Sequence, residues 1–224
     1  VQTCALPISL KEFVDTGKVE EIEKERNNPV NILSDIYGVG PKKAKELVEK
    51  NGIKSVEELR TKQNQLLNEK QKIGLKYYED IQQRIPRNEI EEFASIFENV
   101  FKKVAKKDIN AKFEVVGSYR RGALDSGDID VIMTDSNNSV FKSFIDALIE
   151  KKVVTEILSR GNTKSLTIAK LPHKSISRRI DFLYSSLNEY PFSILYFTGS
   201  KAFNTVMRAK ALEQGYSMNE HRIT

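Results

Sequence analysis

The sequence predicts an α+β protein, in which a helical N-terminal part is followed by a part that layers helices on a β-sheet. Up to residue 85, apolar residues recur at helical spacing between turns that contain glycine or proline. From residue 88 on, amphipathic helical patterns alternate with short β-branched runs, such as the one at residues 131–133. A chain of 224 residues accommodates one large domain or two small ones.

Periodicity and turn residues predict each element in turn. Asn27–Asn28–Pro29 and Pro86 end the helices that precede them, and Ser55 opens a capping box. Helices are predicted at residues 10–26 (a pair joined at Thr16–Gly17), 41–50, 55 onward, 73–85, 88–107, 140–150, 191–197 and 200–215. Strands are predicted at residues 113–117, 128–134, 153–158, 166–171 and 178–184.

Composition narrows the class of protein. The net charge of +5 and the pI of about 9.1 suit a polyanionic partner without identifying one. Cys4 is the only cysteine, which excludes an intrachain disulfide and fits a reducing compartment. No apolar run approaches the length of a membrane span, and no signal peptide is visible. We therefore expect no membrane partner.

A tight turn at Gly38–Val39–Gly40 precedes the helix that starts at Pro41. The turn directs backbone N–H groups outward at a helix N-terminus, where Lys42 and Lys43 add positive charge. This arrangement suits a phosphate group. An ordinary helical hairpin with solvated lysines explains the same residues.

The most informative stretch is residues 113–134, which reads as strand, loop and strand. The first strand ends in Gly117–Ser118, and the second opens with Asp128 and Asp130. Because side chains alternate between the two faces of a strand, these carboxylates point the same way and repel each other unless a cation lies between them. A hard divalent cation with oxygen ligands is the expected partner.

Neighbouring residues extend this candidate site. Asp181 lies in a later strand pattern, and from an adjacent strand it would join the two aspartates. The loop before Asp128 carries Arg121, Ser126 and Gly127, which supply guanidinium and backbone N–H groups suited to phosphate. Metal and phosphate together indicate phosphoryl or nucleotidyl transfer. Ser-Gly-Asp is also ordinary turn chemistry, which is the alternative explanation.

Several motifs that follow one another along the chain resemble those of a known family. Gly117–Ser118, followed after nine residues by Asp128–Ile129–Asp130, is similar to the signature of the nucleotidyltransferase superfamily. The strings GSYRRG, SGDID, RRID, YFTGS and FNTVMR together resemble the family X DNA polymerases, most closely the DNA polymerase beta type. Lys201 stands where the beta type has an acidic residue, so a lambda-like member of the family is an alternative to the beta type.

The resemblance implies an architecture. It consists of a remnant of an N-terminal lyase domain (1–26), a helix-hairpin-helix DNA-binding domain (27–88), a nucleotidyltransferase α/β palm with a mixed sheet (89–187) and a partial helical nucleotide-binding subdomain (188–224). The chain would thus be cut at both ends, with residues 1–8 foreign to the family. Ser9 occupies the position of the family's lyase lysine and Lys11 is out of register, so we expect no lyase activity.

The resemblance also implies two-metal nucleotidyl transfer. Asp128, Asp130 and Asp181 would hold two Mg²⁺ ions, with Mn²⁺ as a substitute, and Arg179 would orient Asp130 or Asp181. The expected dNTP-binding residues are Arg87, Ser118, Arg121, Ser126, Gly127, Tyr196, Phe197, Gly199, Asn204 and Arg208. Without the resemblance, Arg87 and Arg208 would be interpreted as solvated surface charges, and Tyr196 and Phe197 as residues that pack in the core.

The turn at residues 38–40 resembles the family's helix-hairpin-helix motif. That motif would grip a DNA backbone through Gly38, Gly40, Lys42 and Lys43. It would also hold a monovalent cation, Na⁺ or K⁺, through the main-chain carbonyls of Ser34, Ile36 and Val39.

The function implied is that of a template-directed DNA polymerase that fills short gaps in base excision repair. Its partners would be gapped or nicked double-stranded DNA and dNTP, and it would act as a monomer in the nucleus. Two alternatives stay open: a non-catalytic DNA-binding fragment of such a polymerase, and a template-independent nucleotidyltransferase. The latter would not be expected to carry the hairpin at residues 38–41.

Overall fold

The structure, a computed structural model, describes residues 8–106 and 108–224 and the side chains from residue 12 onward, except Lys107. The segment predicted to be foreign to the family therefore lies outside the described residues, apart from the backbone of Ile8. The side chains of Ser9 and Lys11, on which the lyase expectation depends, also lie outside them. The described chain divides into two compact units, between Tyr78 and Glu79.

The first unit is helical throughout its described part. Its helices are α1 (Ile8–Thr16), α2 (Glu20–Arg26), α3 (Pro29–Ser34), α4 (Pro41–Glu49), α5 (Val56–Leu66) and α6 (Glu69–Lys76), and α7 (Tyr78–Gln82) begins at its last residue. Asn28 caps α3 and Ser55 caps α5 through their side-chain oxygens. Leucines from α3, α4, α5 and α6 fill the core, with Leu33, Leu47, Leu59 and Leu75 fully buried.

The turn between α3 and α4 is held against α6. Gly38 has a φ of +85°, a conformation that glycine adopts without strain, and its carbonyl accepts a hydrogen bond from Gln71 Nε2 at 2.9 Å. Gly74 lies directly under the turn, where an added Cβ would stand 2.0 Å from the Tyr37 carbonyl oxygen. The short side chain at residue 74 therefore allows α6 to support the turn closely.

The second unit layers helices on a mixed sheet. Its elements are β1 (Ile85–Pro86), α8 (Arg87–Val104), β2 (Lys112–Val115), α9 (Gly117–Arg120), β3 (Asp125–Ser126), β4 (Ile129–Thr134), α10 (Val140–Glu150), β5 (Val154–Arg160), β6 (Lys164–Ala169), β7 (Arg178–Tyr184), α11 (Tyr190–Thr198) and α12 (Lys201–Glu213). The main sheet has the order β2-β4-β7-β6-β5, and β1 pairs with β3 separately.

Strand direction makes the sheet mixed, as predicted. The β4–β7 pair is parallel, whereas β2–β4, β7–β6 and β6–β5 are antiparallel. One face of the sheet packs on α8 and α10 through a cluster of phenylalanines, in which the Phe97 and Phe144 rings lie 5.5 and 5.7 Å from the Phe182 ring. Among the described residues, no helix has the length and apolar character needed to cross a membrane.

Three details differ from the sequence predictions. The helix expected at residues 73–85 starts earlier, at Glu69, because Asn68 and Gln71 form a capping box, and it is interrupted at Tyr77. The loop expected at residues 118–127 contains the short elements α9 and β3. The predicted domain boundary at residue 88 differs from the division after Tyr78, since residues 85–86 pair with β3 of the second unit.

Candidate active site

The sheet brings Asp130 and Asp181 side by side. Ile129 and Val131 on β4, and Ile180 and Phe182 on β7, point into the core that α8 and α10 cover. Because side chains alternate along a strand, Asp130 and Asp181 point to the opposite face. The two aspartates are direct partners in the parallel register. The expectation that Asp181 joins the site from a neighbouring strand agrees with this register.

Asp128 completes a cluster of three carboxylates. The sequence predicted that Asp128 opens the strand, but Asp128 lies just before β4. Carboxylate oxygens of Asp128, Asp130 and Asp181 lie within 4.8 Å of one another. Burial raises the pKa of Asp128, and burial together with the Asp128 and Asp181 charges raises the pKa of Asp130 to about 7. The cluster is therefore short of positive charge, which is what a divalent cation with oxygen ligands supplies.

Arg179 provides part of the missing charge. Its Nε and Nη2 atoms donate to the two oxygens of Asp181, at 3.1 and 2.7 Å. Nη2 also lies 3.8 Å from Asp128 Oδ2. Of the two aspartates that Arg179 was expected to orient, the structure pairs it with Asp181, because residues 179 and 181 lie on the same face of β7.

Gly117 lies against the cluster. Its φ is +66°, and an added Cβ would approach Asp130 Oδ2 to 2.8 Å. A side chain at residue 117 would therefore be strained by the backbone and would also displace a carboxylate. The positive φ and the nearby carboxylate together explain why the Gly117–Ser118 motif has glycine at its first position.

The residues after Gly117 form one wall of a cleft. Ser118 Oγ donates to Ser126 Oγ at 2.6 Å, so buried Ser126 supports Ser118 from behind. Arg121 Nη1 donates to the carbonyl of Thr198 at 2.7 Å, which connects this wall to α11. The cleft has a volume of about 700 Å³ and is lined by Arg84, Gly117, Ser118, Arg121, Gly127, Asp128, Asp130, Tyr196, Phe197, Gly199, Lys201, Asn204, Thr205 and Arg208.

The opposite wall comes from α11, α12 and the turn between them. The Tyr196 and Phe197 rings pack edge to face, with centroids 5.0 Å apart. Asn204 Nδ2 donates to the Tyr196 carbonyl at 2.7 Å, which fixes α12 against α11. Gly199, with a φ of +68°, lies next to the Arg121 guanidinium. The aromatic pair, Gly199, Asn204 and Arg208 thus line the same cleft as Asp128 and Asp130.

Arg87 is not part of the cleft lining, although it was expected to bind the triphosphate. Its Nη1 donates to the carbonyls of Tyr119 and Ala123, at 2.9 and 3.3 Å. Its guanidinium carbon lies 4.1 Å from the centroid of the Tyr119 ring. The structure instead places Arg84 in the lining. The two arginines flank Ile85–Pro86, and the strand pairing of that dipeptide turns one side chain to the cleft and the other away.

Sequence reasoning missed Arg84, and it noted Lys201 only as a departure from the family pattern. The signal available for Arg84 was its position, three residues before Arg87 and beside a short extended Ile–Pro segment. No sequence pattern indicated that β1 would pair with β3, and this pairing is what brings Arg84 to Gly127. The cleft therefore contains four cationic side chains, those of Arg84, Arg121, Lys201 and Arg208.

The hairpin residues lie in the first unit. Gly40 caps α4 and is exposed, and Lys42 is exposed beside it. Lys43 Nζ pairs with Glu46 at 2.9 Å, and this pairing lowers the pKa of Glu46. The carbonyl of Ile36 accepts a hydrogen bond from the Val39 N–H at 2.9 Å. The cation site predicted at Ser34, Ile36 and Val39 stays a prediction.

Three family models match successive parts of the chain. The model described as "DNA polymerase beta palm" matches residues 84–186. The model described as "Fingers domain of DNA polymerase lambda" matches residues 31–82, and the one described as "DNA polymerase beta thumb" matches residues 193–224. The three carboxylates lie within the palm match, and Tyr196 to Arg208 lie within the thumb match.

Curated relatives are similar along nearly the whole chain. DNA polymerase lambda of Arabidopsis thaliana is 28% identical over 229 residues, covering 94% of this chain and 42% of that protein. DNA polymerase lambda of Rattus norvegicus is 31% identical over 227 residues, covering 95% of this chain and 38% of that protein. The chain thus spans about two fifths of the length of these relatives.

Proposed function

Because the chain belongs to family X of the DNA polymerases, we propose that the cleft is the active site of a template-directed DNA polymerase. The reaction would transfer a nucleotide from dNTP to a primer 3′-hydroxyl. One observation carries the proposal: Asp128, Asp130 and Asp181 lie together, and the first two line a cleft whose lining also holds four cationic side chains. Carboxylates suit metal ions, and the cationic lining suits a triphosphate.

The carboxylates fit divalent metal ions by their chemistry. All three are oxygen ligands, they lie close enough to share an ion, and burial raises the pKa of Asp128 and, with the neighbouring carboxylates, that of Asp130. Asp128, Asp130 and Asp181 would hold two Mg²⁺ ions, or Mn²⁺ in their place. Such ions, when bound, lower the pKa of the primer hydroxyl and neutralise the leaving pyrophosphate.

The residues of the chain divide the remaining tasks. Arg179 holds Asp181 in one orientation through two hydrogen bonds, and Asp181 would accept the proton of the primer hydroxyl. Ser118, Gly127, Arg121 and Arg84 would bind the β- and γ-phosphates, with Ser126 supporting Ser118.

The wall formed by α11 and α12 would bind the nucleoside. Tyr196 and Phe197 would crowd the sugar and reject a 2′-hydroxyl. Asn204 and Arg208 would contact the minor groove of the new base pair, and Gly199 leaves room for Arg121 beside them. Specificity would come from template pairing, since these groups contact features that every base pair shares.

The first unit would supply sequence-independent DNA binding. The turn at residues 38–40 presents the α4 N-terminus together with Lys42, which suits a DNA phosphate in the manner of a helix-hairpin-helix motif. A monovalent cation, Na⁺ or K⁺, would bind at the carbonyls of Ser34, Ile36 and Val39. We further propose short-gap filling in base excision repair, in the nucleus, by a monomer acting on gapped or nicked DNA.

Template dependence is the test of this function. Each dNTP is offered singly, with Mg²⁺, to a duplex that carries a one-nucleotide gap opposite each of the four template bases, and DNA binding is measured separately by fluorescence anisotropy. Addition of only the complementary nucleotide, abolished by EDTA, is the expected result. Gap binding without addition would favour the DNA-binding fragment, and addition regardless of the template base would favour the template-independent enzyme.

A further inference from the structure

The cleft carries at its rim a carboxylate that the proposed chemistry does not use. Asp125 pairs with Arg84, whose Nε and Nη2 atoms both donate to Asp125 Oδ1, at 2.9 and 2.6 Å. Arg84 Nη2 also donates to the Asp125 carbonyl at 3.1 Å. The side chains are 59% and 51% exposed, and an ion pair so open to water contributes little to stability.

The pair fixes the direction of the Arg84 guanidinium. Asp125 accepts from the Nε and Nη2 edge, which leaves the Nη1 edge turned to Gly127, where an added Cβ would meet Nη1 at 3.3 Å. In the described part of the chain, Nη1 has no hydrogen-bond acceptor. Arg84 also lies close enough to Asp128 to lower its pKa against the effect of burial. An anion bound near Gly127 would therefore meet Nη1.

The backbone on both sides of the pair is held in place. Ile85 pairs with Ser126, and Pro86 with Asp125, in the two-stranded ribbon of β1 and β3. Arg178 Nη1 donates to the carbonyls of Gln83 and Arg84, at 3.2 and 3.4 Å. The backbone is therefore held in place, whereas the exposed Arg84 and Asp125 side chains can adjust when an anion arrives.

We propose that Asp125 limits the affinity for the incoming nucleotide by sharing Arg84 with the triphosphate. This inference rests on the proposed function. A triphosphate oxygen at Nη1 meets a guanidinium whose charge Asp125 already partly balances, so the contact is weaker than one with an unpaired arginine. At the same time the Asp125 oxygen keeps Nη1 directed at Gly127. Asp125 is thus a positioning residue that acts through Arg84.

Binding of dCTP with MgCl₂ in the absence of DNA tests the inference, because no transfer occurs without a primer. Asp125→Asn keeps an oxygen acceptor but removes the charge, and we expect the Kd to fall about threefold. Arg84→Met should raise the Kd about tenfold, and Asp125→Asn should have little effect in the Arg84→Met background. Asp146→Asn is the matched control, since Asp146 forms a similar pair with Arg160 at 2.7 Å outside the cleft lining.

Each outcome decides one claim. A Kd for Asp125→Asn that equals or exceeds that of the unmodified chain would overturn the inference. If Asp125→Asn lowered the Kd for dCTP by the same factor in the presence and absence of Arg84, the inference would also be overturned, since Asp125 would then act only by its long-range field. Failure of the unmodified chain to bind dCTP would instead contradict the proposed function itself.

Discussion

At the scale of single residues, the site depends on contacts that hold its own groups in place. Gly117 makes room for the Asp130 carboxylate, and Ser126 supports Ser118. Arg87 holds two carbonyls of the segment that carries Ser118 and Arg121. These contacts set the positions of the groups in the cleft, so their loss should appear in stability and in nucleotide affinity together.

Gly117→Ala should destabilise the protein by about 2 to 3 kcal/mol, because the added Cβ faces both the positive φ and the Asp130 carboxylate. Gly122→Ala is the matched control, since Gly122 has a φ of +83° but no atom within 4 Å of its would-be Cβ. Urea unfolding of both variants measures the difference. Equal destabilisation would show that the approach to Asp130 has no cost of its own.

Arg87→Met should raise the KM for dNTP severalfold and leave DNA affinity unchanged, because it loosens the segment that carries Ser118 and Arg121. Tyr119→Leu removes the ring under the guanidinium and should reproduce a smaller part of the same change. Steady-state gap filling measures both. An effect of Arg87→Met with none from Tyr119→Leu would instead support the direct triphosphate contact that the family resemblance implied.

At the scale of elements, a buried ion pair joins α8 to β7. Arg178 Nε and Nη2 donate to the two oxygens of Glu89, at 2.7 and 3.0 Å, and both side chains are less than 8% exposed. Arg178 also donates to the carbonyls of Gln83 and Arg84. The pair therefore connects the long helix, the Asp181 strand and the start of β1.

Arg178→Met should destabilise the protein by about 3 to 5 kcal/mol, since it leaves the Glu89 charge buried without a partner. The double variant Arg178→Met/Glu89→Leu should recover most of that stability, while gap-filling activity stays low because Arg84 loses its backbone support. Chemical denaturation and a KM measurement separate the two effects. Full recovery of activity in the double variant would show that the pair only stabilises the fold.

The elements also show which features the sequence can predict. The long helix at residues 87–104, the helix at residues 140–150 and all five strands of the main sheet follow from local periodicity, and the structure has them. The two-residue strands β1 and β3 have no periodic signal, because their pairing depends on contacts 41 residues apart, such as that of Arg84 with Asp125. The same omission explains why the sequence indicated no role for Arg84, which the structure places in the cleft lining, in contrast to Arg87.

The exposure of α12 to solvent also could not be predicted from local sequence pattern. Its apolar residues recur at helical spacing, yet Phe203, Val206 and Leu212 are 45%, 63% and 68% exposed. Spacing identifies an apolar helical stripe, but it does not say which surface covers that stripe. By contrast, strand alternation identified Asp128 and Asp130 from the sequence, and Asp181 was identified from its own strand pattern, which the register of β4 and β7 brings beside Asp130.

At the scale of the whole molecule, the carboxylate cluster couples stability to pH and metal. Burial and two neighbouring charges raise the pKa of Asp130 to about 7. Between pH 4 and 7 the folded protein therefore keeps a proton that the unfolded chain has released, and the free energy of unfolding falls as the pH rises. Above pH 7 this loss is complete, and a divalent cation bound to the proposed site would offset it.

Without metal, Asp130→Asn should therefore gain stability relative to the unmodified chain, by at least about 1 kcal/mol more at pH 7 than at pH 4. Added Mg²⁺ should raise the Tm of the unmodified chain more at pH 8 than at pH 5.5, and should raise that of the variant little. Thermal melts across pH provide both comparisons. Parallel pH profiles for the two proteins would contradict the raised pKa.

The central claim is that the three carboxylates perform nucleotidyl transfer. Its most direct test is the single-turnover rate of nucleotide addition to a one-nucleotide-gapped duplex with Mg²⁺, for the unmodified chain, Asp181→Asn and the control Asp146→Asn. We predict a loss of at least about 100-fold for Asp181→Asn, with gap binding retained and the control unchanged. Addition by Asp181→Asn at the unmodified rate would contradict the account.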